Sequence, residues 1–503
     1  MRPTKTLQDV TCRLGQHVRR RHLRFVTPLA IPVAHAPPSC PISPVDPSWA
    51  PRDSGRGSRP LASTVVERSH VPVEKPNTSS WFVEHREATE VAHSRSGPRV
   101  QPLHQEQGLS HALAVEGGVE YTWEALVDGT LASHDMPADL RTGATELLDP
   151  TPVLATTAAL ATEVARRLVD TARAAGATHL DVLLREVERR TLCFGDGRTV
   201  RQDSRHAILE VKAFQTTDSG VLDAWRATAF PDLNHLHAAL PTLESLVDGL
   251  VRELRESSPG IPCPTGMFPI VFPPGAASAC FFHEVCGHPL EGDVVARGGS
   301  YLARRLGQRV AGPWLSVSDD PTDGHGALGF HWDDEGHAAQ AVPLLNKGVV
   351  GSPLLDARSA RLLGHAPNGH GRRVGFRHPP LPRMAHTRVE PHEGHLESVL
   401  AGVPHGLLVQ HLTPRHMDLL SGDFSFYIVE AREVRDGRVG QRVSPGILAG
   451  NGLEALASID AVGADSRNLF ATRGCRKLDH GALPVSFGQP AVRFRGLTVR
   501  PWR

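Results

Sequence analysis

The chain is 503 residues long and 40% apolar, and its 54 basic and 54 acidic side chains cancel. That length suits about three domain-sized units with an ordinary buried core, and the lack of net charge argues against direct nucleic-acid binding. Seven cysteines at irregular spacing do not make a secreted disulfide framework, and no run of about 18 apolar residues is present to span a membrane as a helix, so the composition predicts a cytoplasmic globular protein.

In chain order, residues 1–115 mix Arg, Pro, Ser and His, as in Arg19-Arg20-Arg21-His22 and Ala36-Pro37-Pro38-Ser39, without helical or strand periodicity. They read as a disordered tail whose Arg-rich, acid-poor start imitates a transit peptide or reflects a start codon placed too far upstream. Residues 116–150 read as a linker. An α+β domain is expected over 151–260. Its first helix carries Leu160, Val164 and Leu168 at i, i+4, i+8 and stops at Gly176; strands follow around Leu180, Val182 and Leu184, and around Ile208 to Ala213. Gly195-Asp196-Gly197 marks a hairpin, and a second helix carries Leu243, Leu246, Val247, Leu250, Val251 and Leu254 on one face. Residues 261–503 are expected to form a mainly β domain with one functional helix. Pro269 to Phe272, Leu407 to Val409 and Phe426 to Val429 read as strands, and Asp436-Gly437 as a tight hairpin turn.

The chemistry concentrates in Cys280-Phe281-Phe282-His283-Glu284-Val285-Cys286-Gly287-His288-Pro289-Leu290-Glu291-Gly292-Asp293. In a zinc-protease helix, two histidines four residues apart share a face and the intervening Glu activates water. Here the step is five residues, which on a regular helix sets the rings roughly 140° apart. The backbone must therefore bend between His283 and His288, and Gly287 and Pro289 sit where a helix can widen or stop. Cys280, His283 and Cys286 recur every three residues and form a competing local donor set, although both cysteines also suit simple packing.

His-Glu-x-x-Gly-His followed by Leu-Glu-Gly-Asp resembles the signature of the TldD/PmbA family, once described as modulators of DNA gyrase and regarded as zinc metalloproteases. Asp333-Asp334-Glu335-Gly336, Asn368-Gly369-His370-Gly371-Arg372-Arg373, Pro382-Arg383-Met384, Ser421-Gly422-Asp423, Asn451-Gly452 and Gly474-Cys475 resemble further blocks of that family in its order. The resemblance covers residues 262–503. It implies a zinc site with His283, His288 and Cys475 as ligands and Glu284 as the general base. Glu291 and Asp293 are candidates to orient the histidine rings. Asp333 to Glu335 reads as a turn that hydrogen-bonds backbone, and the arginines of the Asn368 to Arg373 loop suit a peptide carboxylate.

These readings combine into a TldD-like, zinc-dependent peptidase of unfolded peptides. The resemblance also implies a dimer, either with itself or with a PmbA-like subunit. The alternative is a non-catalytic binding or scaffold subunit of such a complex with a structural or empty metal site.

Overall fold

A computed structural model of the chain describes residues 20–25, 79–115, 118–126, 136–148, 154, 157–195, 197–217, 220–256, 260–323, 328–477 and 480–502. The described fold is mixed α/β and mostly strands, with a β-rich C-terminal region. Among the described residues no helix is long and apolar enough to cross a membrane.

The N-terminal half is built on one antiparallel sheet. Its strands are β1 (Arg20–Phe25), β2 (Ser79–Ser94), β3 (Gly97–Val115), β4 (Gly118–Ala125), β5 (His179–Gly195), β6 (Arg198–Thr217) and β7 (Gly220–Phe230), in the order β1-β4-β3-β2-β5-β6-β7. Four helices accompany it: α1 (Ala138–Leu147), α2 (Thr157–Ala174), α3 (Leu233–Ala238) and α4 (Leu240–Glu256). The apolar stripe of α2, including Val164, Ala165, Leu168 and Ala172, packs on Leu180, Val182, Leu184, Leu209 and Val211 and against Leu243, Val247 and Leu250 of α4. Gly176 follows α2 at φ +90°, a left-handed position that favours glycine. The two helices expected from their periodicity are thus present.

The expected disorder of residues 1–115 is corrected for residues 20–25, which form β1 on β4, and for residues 79–115. The latter form β2 and β3, and β2 pairs with β5 from Trp81↔Phe194 to His93↔Val182. The expected linker likewise contains β4 and α1. The misreading has a physical cause. Beside Trp81, Phe82 and Val83, the strand buries Glu84, His85 and Glu87, polar residues that imitate a solvated tail. They are satisfied inside: His85 Nε2 lies 2.9 Å from Glu87 Oε1, Gln107 Nε2 lies 2.7 Å from His85 Nδ1, and the Leu154 amide donates to Glu87 Oε2 at 2.9 Å. The tail expectation for residues 1–19 and 26–78, with Cys12 and Cys40, lies outside the described residues.

The C-terminal region holds β8 (Gly266–Phe272), β9 (Val317–Asp319), β10 (Val342–Asn346), β11 (Val349–Val350), β12 (Gly371–Arg372), β13 (Leu381–Pro382), β14 (His386–Val389), β15 (His405–Met417), β16 (Asp423–Arg435), β17 (Arg438–Val443), β18 (Gly446–Asn451), β19 (Ile459–Val462), β20 (Arg467–Arg476), β21 (Ala482–Gln489) and β22 (Val492–Pro501). One sheet runs β11-β10-β9-β14-β21-β20; another runs β15-β8-β22-β18-β16-β17, with β19 on β22. The expected hairpin between β16 and β17 turns through Asp436 (φ 47°) and Gly437 (φ 73°), two consecutive left-handed residues as a primed turn needs.

Phe281, immediately before the histidine segment, sits among Phe272, Phe424 and Phe494 with ring centroids 5.6, 5.3 and 5.2 Å away. Edge-to-face packing of this kind fixes the ring and, through it, the start of the segment. Since β2 covers one whole edge of β5, a chain beginning at Gly118 is expected to aggregate or to lose its cooperative thermal transition. An unchanged melting temperature for that truncation would contradict the assignment of residues 79–115 to the sheet.

Candidate metal centre

The His283 segment changes pitch as it advances. A short helix, α5 (Cys280–Phe282), passes into a π turn over His283–Gly287, then a 3-10 turn over His288–Leu290, and then α6 (Gly292–Ala296). The His288 amide donates to the His283 carbonyl, five residues back. That bond is the wide turn the five-residue spacing demands. The two rings therefore meet, with centroids 5.0 Å apart and planes at 83°.

Gly287 lies in the widened turn, one of the two outcomes expected of it, but the reason for glycine there is not its backbone freedom. Its backbone is right-handed helical (φ −66°, ψ −65°), so no conformational need for glycine arises. A Cβ there, however, would lie 1.9 Å from Met384 Sδ and 3.1 Å from its Cγ. Glycine allows the π turn to press against the Pro382-Arg383-Met384 block.

Cys475 reaches the histidines from β20, just after Gly474 (φ +67°) and at a shift in the pairing of β20 with β21. Its Sγ lies 3.4 Å from His288 Nε2. One donor atom from each of His283, His288 and Cys475 falls within 4.8 Å of the others. Arg383, fully buried, donates to the Cys475 carbonyl and holds the loop in place. Burial alone would raise the Cys475 thiol, but His288 and then His283 hold it well below the usual thiol range. Burial would lower His288, yet Cys475, Glu291 and Glu284 hold it well above the usual imidazole range. A thiolate and two imidazoles make a donor set that fits a borderline cation such as zinc.

The competing local set does not form. Cys280 Sγ lies 3.6 Å from the Leu412 carbonyl, Cys286 is fully enclosed in the core, and burial pushes both thiols up. Both are packing cysteines.

Each histidine is held from behind. His288 Nδ1 is 3.1 Å from Glu291 Oε2, and the same oxygen is 3.1 Å from Lys477 Nζ. Burial would raise the Glu291 carboxyl, but His288 and Lys477 bring it down to about 2, so it stays ionised. Asp293 does not touch a histidine; it lies 2.6 Å from Lys477 Nζ and acts through that lysine. His283 Nδ1 is 3.3 Å from Thr387 Oγ1, which donates to Asp319 Oδ2 at 2.8 Å. Asp319 Oδ1 also accepts from the Ala385 amide at 2.8 Å and lies 3.2 Å from His370 Nε2. Thr387, Asp319 and Lys477 belong to no motif read from the sequence. Only the pairing of β14 with β9, which sets Thr387 opposite Asp319, brings the first two together.

Glu284 Oε1 lies 4.0 Å from His288 Nε2, on the partly open side of the cluster. Elsewhere, Asp333 forms the expected turn: its Oδ1 accepts from the Glu335 and His337 amides at 3.0 and 2.9 Å, and Oδ2 from the Gly371 amide at 3.0 Å. Asp423 meets Asn451 Nδ2 at 2.9 Å.

Replacing Gly287 with Ala should destabilise the protein by about 1–3 kcal/mol through overpacking on Met384. Adding Met384→Ala should relieve part of that loss, read as a non-additive double-mutant cycle in denaturant melts. Strict additivity would contradict the contact.

Residues 265–501 match the model of the PmbA/TldA metallopeptidase C-terminal domain. A metalloprotease TldD homologue from Buchnera aphidicola is 33% identical over 236 residues, covering 47% of this chain and 48% of the relative. A zinc metalloprotease TldD homologue from Saccharolobus solfataricus is 26% identical over 259 residues, covering 51% and 56%. The chain spans about half the length of the curated relatives it matches. Among solved structures, a Thermotoga maritima protein described as a modulator of a DNA gyrase superposes with a TM-score of 0.67 at 16% identity, covering 84% of this chain and 96% of that one. TldE from Thermococcus kodakarensis superposes with a TM-score of 0.63 at 16% identity over 84% and 96%. These two likenesses are of fold. Residues 265–501 thus match the C-terminal domain of the PmbA/TldD metallopeptidase family, and these two curated relatives that align with this chain are named TldD homologues.

Proposed function

We propose that this protein is a TldD-like zinc metallopeptidase that hydrolyses unfolded peptides. The observation that carries the reading is the convergence of His283, His288 and Cys475, with Glu284 beside them, from segments 187 residues apart in sequence. The name of the Saccharolobus relative supports zinc as the ion. His283, His288 and Cys475 would hold it. Bound there, zinc supplies Lewis acidity, polarising a peptide carbonyl and acidifying water.

The chain's own residues supply the rest. Glu284 takes a proton from the attacking water and returns it to the departing amine. Glu291 accepts the Nδ1 proton of His288, which leaves Nε2 as the donor atom facing Cys475. Thr387 commits its own proton to Asp319 and so presents a lone pair to His283 Nδ1. Lys477, between Glu291 and Asp293, keeps the buried carboxylate charged.

Substrate selection follows from the sheet. β20, which carries Cys475, ends the six-stranded order, and an extended peptide can add to a strand edge through backbone hydrogen bonds. A folded protein cannot present such a strand. We assign the working unit as a cytoplasmic dimer, homodimeric or paired with a PmbA-like subunit, as the family resemblance implies.

Purified protein should hold about one zinc per chain, with metal content falling on replacing His283, His288 or Cys475 by Ala. Glu284→Gln should retain the metal while peptide cleavage falls by roughly 10²-fold or more. Full zinc in Cys475→Ala, or unimpaired cleavage in Glu284→Gln, would overturn the assignment. Cleavage should also be confined to unstructured substrates. Equal turnover of one sequence free and inside a stable fold, compared by mass spectrometry, would refute the strand-addition reading.

A further inference from the structure

A second feature lies between the two halves of the molecule, against β21 residues that pair with the Cys475 strand. It is a cavity of about 80 Å³, walled by Arg86, Arg189 and His206 from the N-terminal sheet and by Arg372, Phe330 and Pro484 from the C-terminal region. That volume accepts several waters, and so accepts a carboxylate. Leu483 also lines it and stands opposite Cys475 in the β20–β21 register.

Arg189 is paired with Glu84 and Asp334, but among the described residues neither Arg86 nor Arg372 has a carboxylate within hydrogen-bond distance. Of the two aspartates lining the cavity, Asp333 is occupied by three backbone amides. Asp334 is divided between Arg189 Nη1 at 2.8 Å and the Arg373 amide at 2.7 Å. Glu84 serves Arg189 Nε at 2.6 Å and the Phe376 amide at 2.7 Å, and Glu106 serves Arg377 at 2.8 Å. Arg86 is left with the Val374 carbonyl at 3.4 Å. Among the described residues, Arg372 meets the Met384 and Pro484 carbonyls and the face of Phe330, 5.2 Å from its centroid. Among the described residues, Arg189 Nη2 and His206 Nε2 are buried without a hydrogen-bond partner.

Among the described residues, two guanidiniums that hydrogen-bond only carbonyls line one cavity, and Arg189 and His206 of the same lining each keep a buried nitrogen without a partner, a set that favours an anion. Burial lowers the Arg86 guanidinium against the opposing pull of Glu84 and Glu106, and lowers Arg372 to about 10 against that of Asp334 and Asp319. Burial and the neighbouring arginines hold His206 down at about 4, so it stays neutral and can donate without adding charge.

We propose that this cavity is a carboxylate subsite, with Arg86 and Arg372 as its charged donors and Arg189 Nη2 and His206 as neighbouring polar contacts, and that it receives a carboxylate of the peptide substrate. The choice of a peptide as the source rests on the peptidase reading. Two peptide groups present this chemistry, the C-terminal carboxylate and an Asp or Glu side chain.

The test is calorimetric titration of the full chain carrying Glu284→Gln, which prevents turnover. Three peptides of one sequence are compared: a free acid lacking Asp and Glu, its C-terminal amide, and an amide containing one internal Glu. The free acid or the Glu-containing amide should bind roughly tenfold or more tightly than the plain amide, the scale of a charge-assisted hydrogen bond. Whichever of the two binds tightly identifies the source. Arg86→Met should abolish the difference and Arg86→Lys should retain most of it, with thermal melts verifying that both variants are folded. Equal affinity for all three peptides in the chain with Arg86 intact, a result that needs no variant, would overturn the subsite. Cleavage of all three by the chain with Glu284 intact would leave the peptidase reading standing in that event. An Arg86-dependent preference without cleavage would instead sustain the subsite and sink the peptidase reading.

Discussion

The hydrogen bond from the His288 amide to the His283 carbonyl is the constraint on which the site depends. It replaces one α-helical turn by a wider one, and without it the two imidazoles would diverge around the helix. Its neighbours make the wide turn tolerable. Phe281 anchors the chain before it in an aromatic cluster, and Met384 packs against the bare α-carbon of Gly287. Tyr301 donates to the Val285 carbonyl inside the turn, at 2.5 Å. A π turn leaves backbone groups poorly matched, and each of these contacts offsets part of that cost.

Charge organises the shell behind the rings. Two buried carboxylates, Glu291 and Asp319, stand behind the two histidines, one directly and one through Thr387. Isolated carboxylates at such depth would be costly; here each has paired donors, Lys477 and His288 for one and the Ala385 amide, Thr387 and His370 for the other. The Asn368 to Arg373 loop joins both features of the molecule, since His370 backs the metal centre while Arg372 lines the arginine cavity. That arrangement gives a short structural route between a candidate reaction centre and a candidate binding site.

The sequence disclosed the centre better than it disclosed the fold. The five-residue spacing of His283 and His288 required a wide turn, and the resemblance brought Cys475 to them; the structure assembles all three side chains. Gly287 was expected where the helix widens or stops and it lies in the widened turn, but the approach of Met384 that requires glycine there leaves no local sequence signal. Thr387, Asp319 and Lys477 were invisible for a related reason: their roles arise from strand pairing and loop return across more than 60 residues. The amphipathic helices α2 and α4 were legible because their apolar residues recur at helical spacing. Strands β2 and β3 were not, because an interior strand that buries Glu84, His85 and Glu87 lacks the alternation that marks a half-exposed one.

The central claim is that one sulfur and two imidazoles share a single ion. X-ray absorption at the zinc edge of the purified, zinc-loaded chain reads those donors directly. The account predicts one sulfur neighbour at about 2.3 Å, with nitrogen or oxygen neighbours at about 2.0–2.1 Å and imidazole scattering beyond them. Two or more sulfur neighbours would return Cys280 or Cys286 to the donor set, and a spectrum without sulfur would remove Cys475 from it; either result would contradict the account.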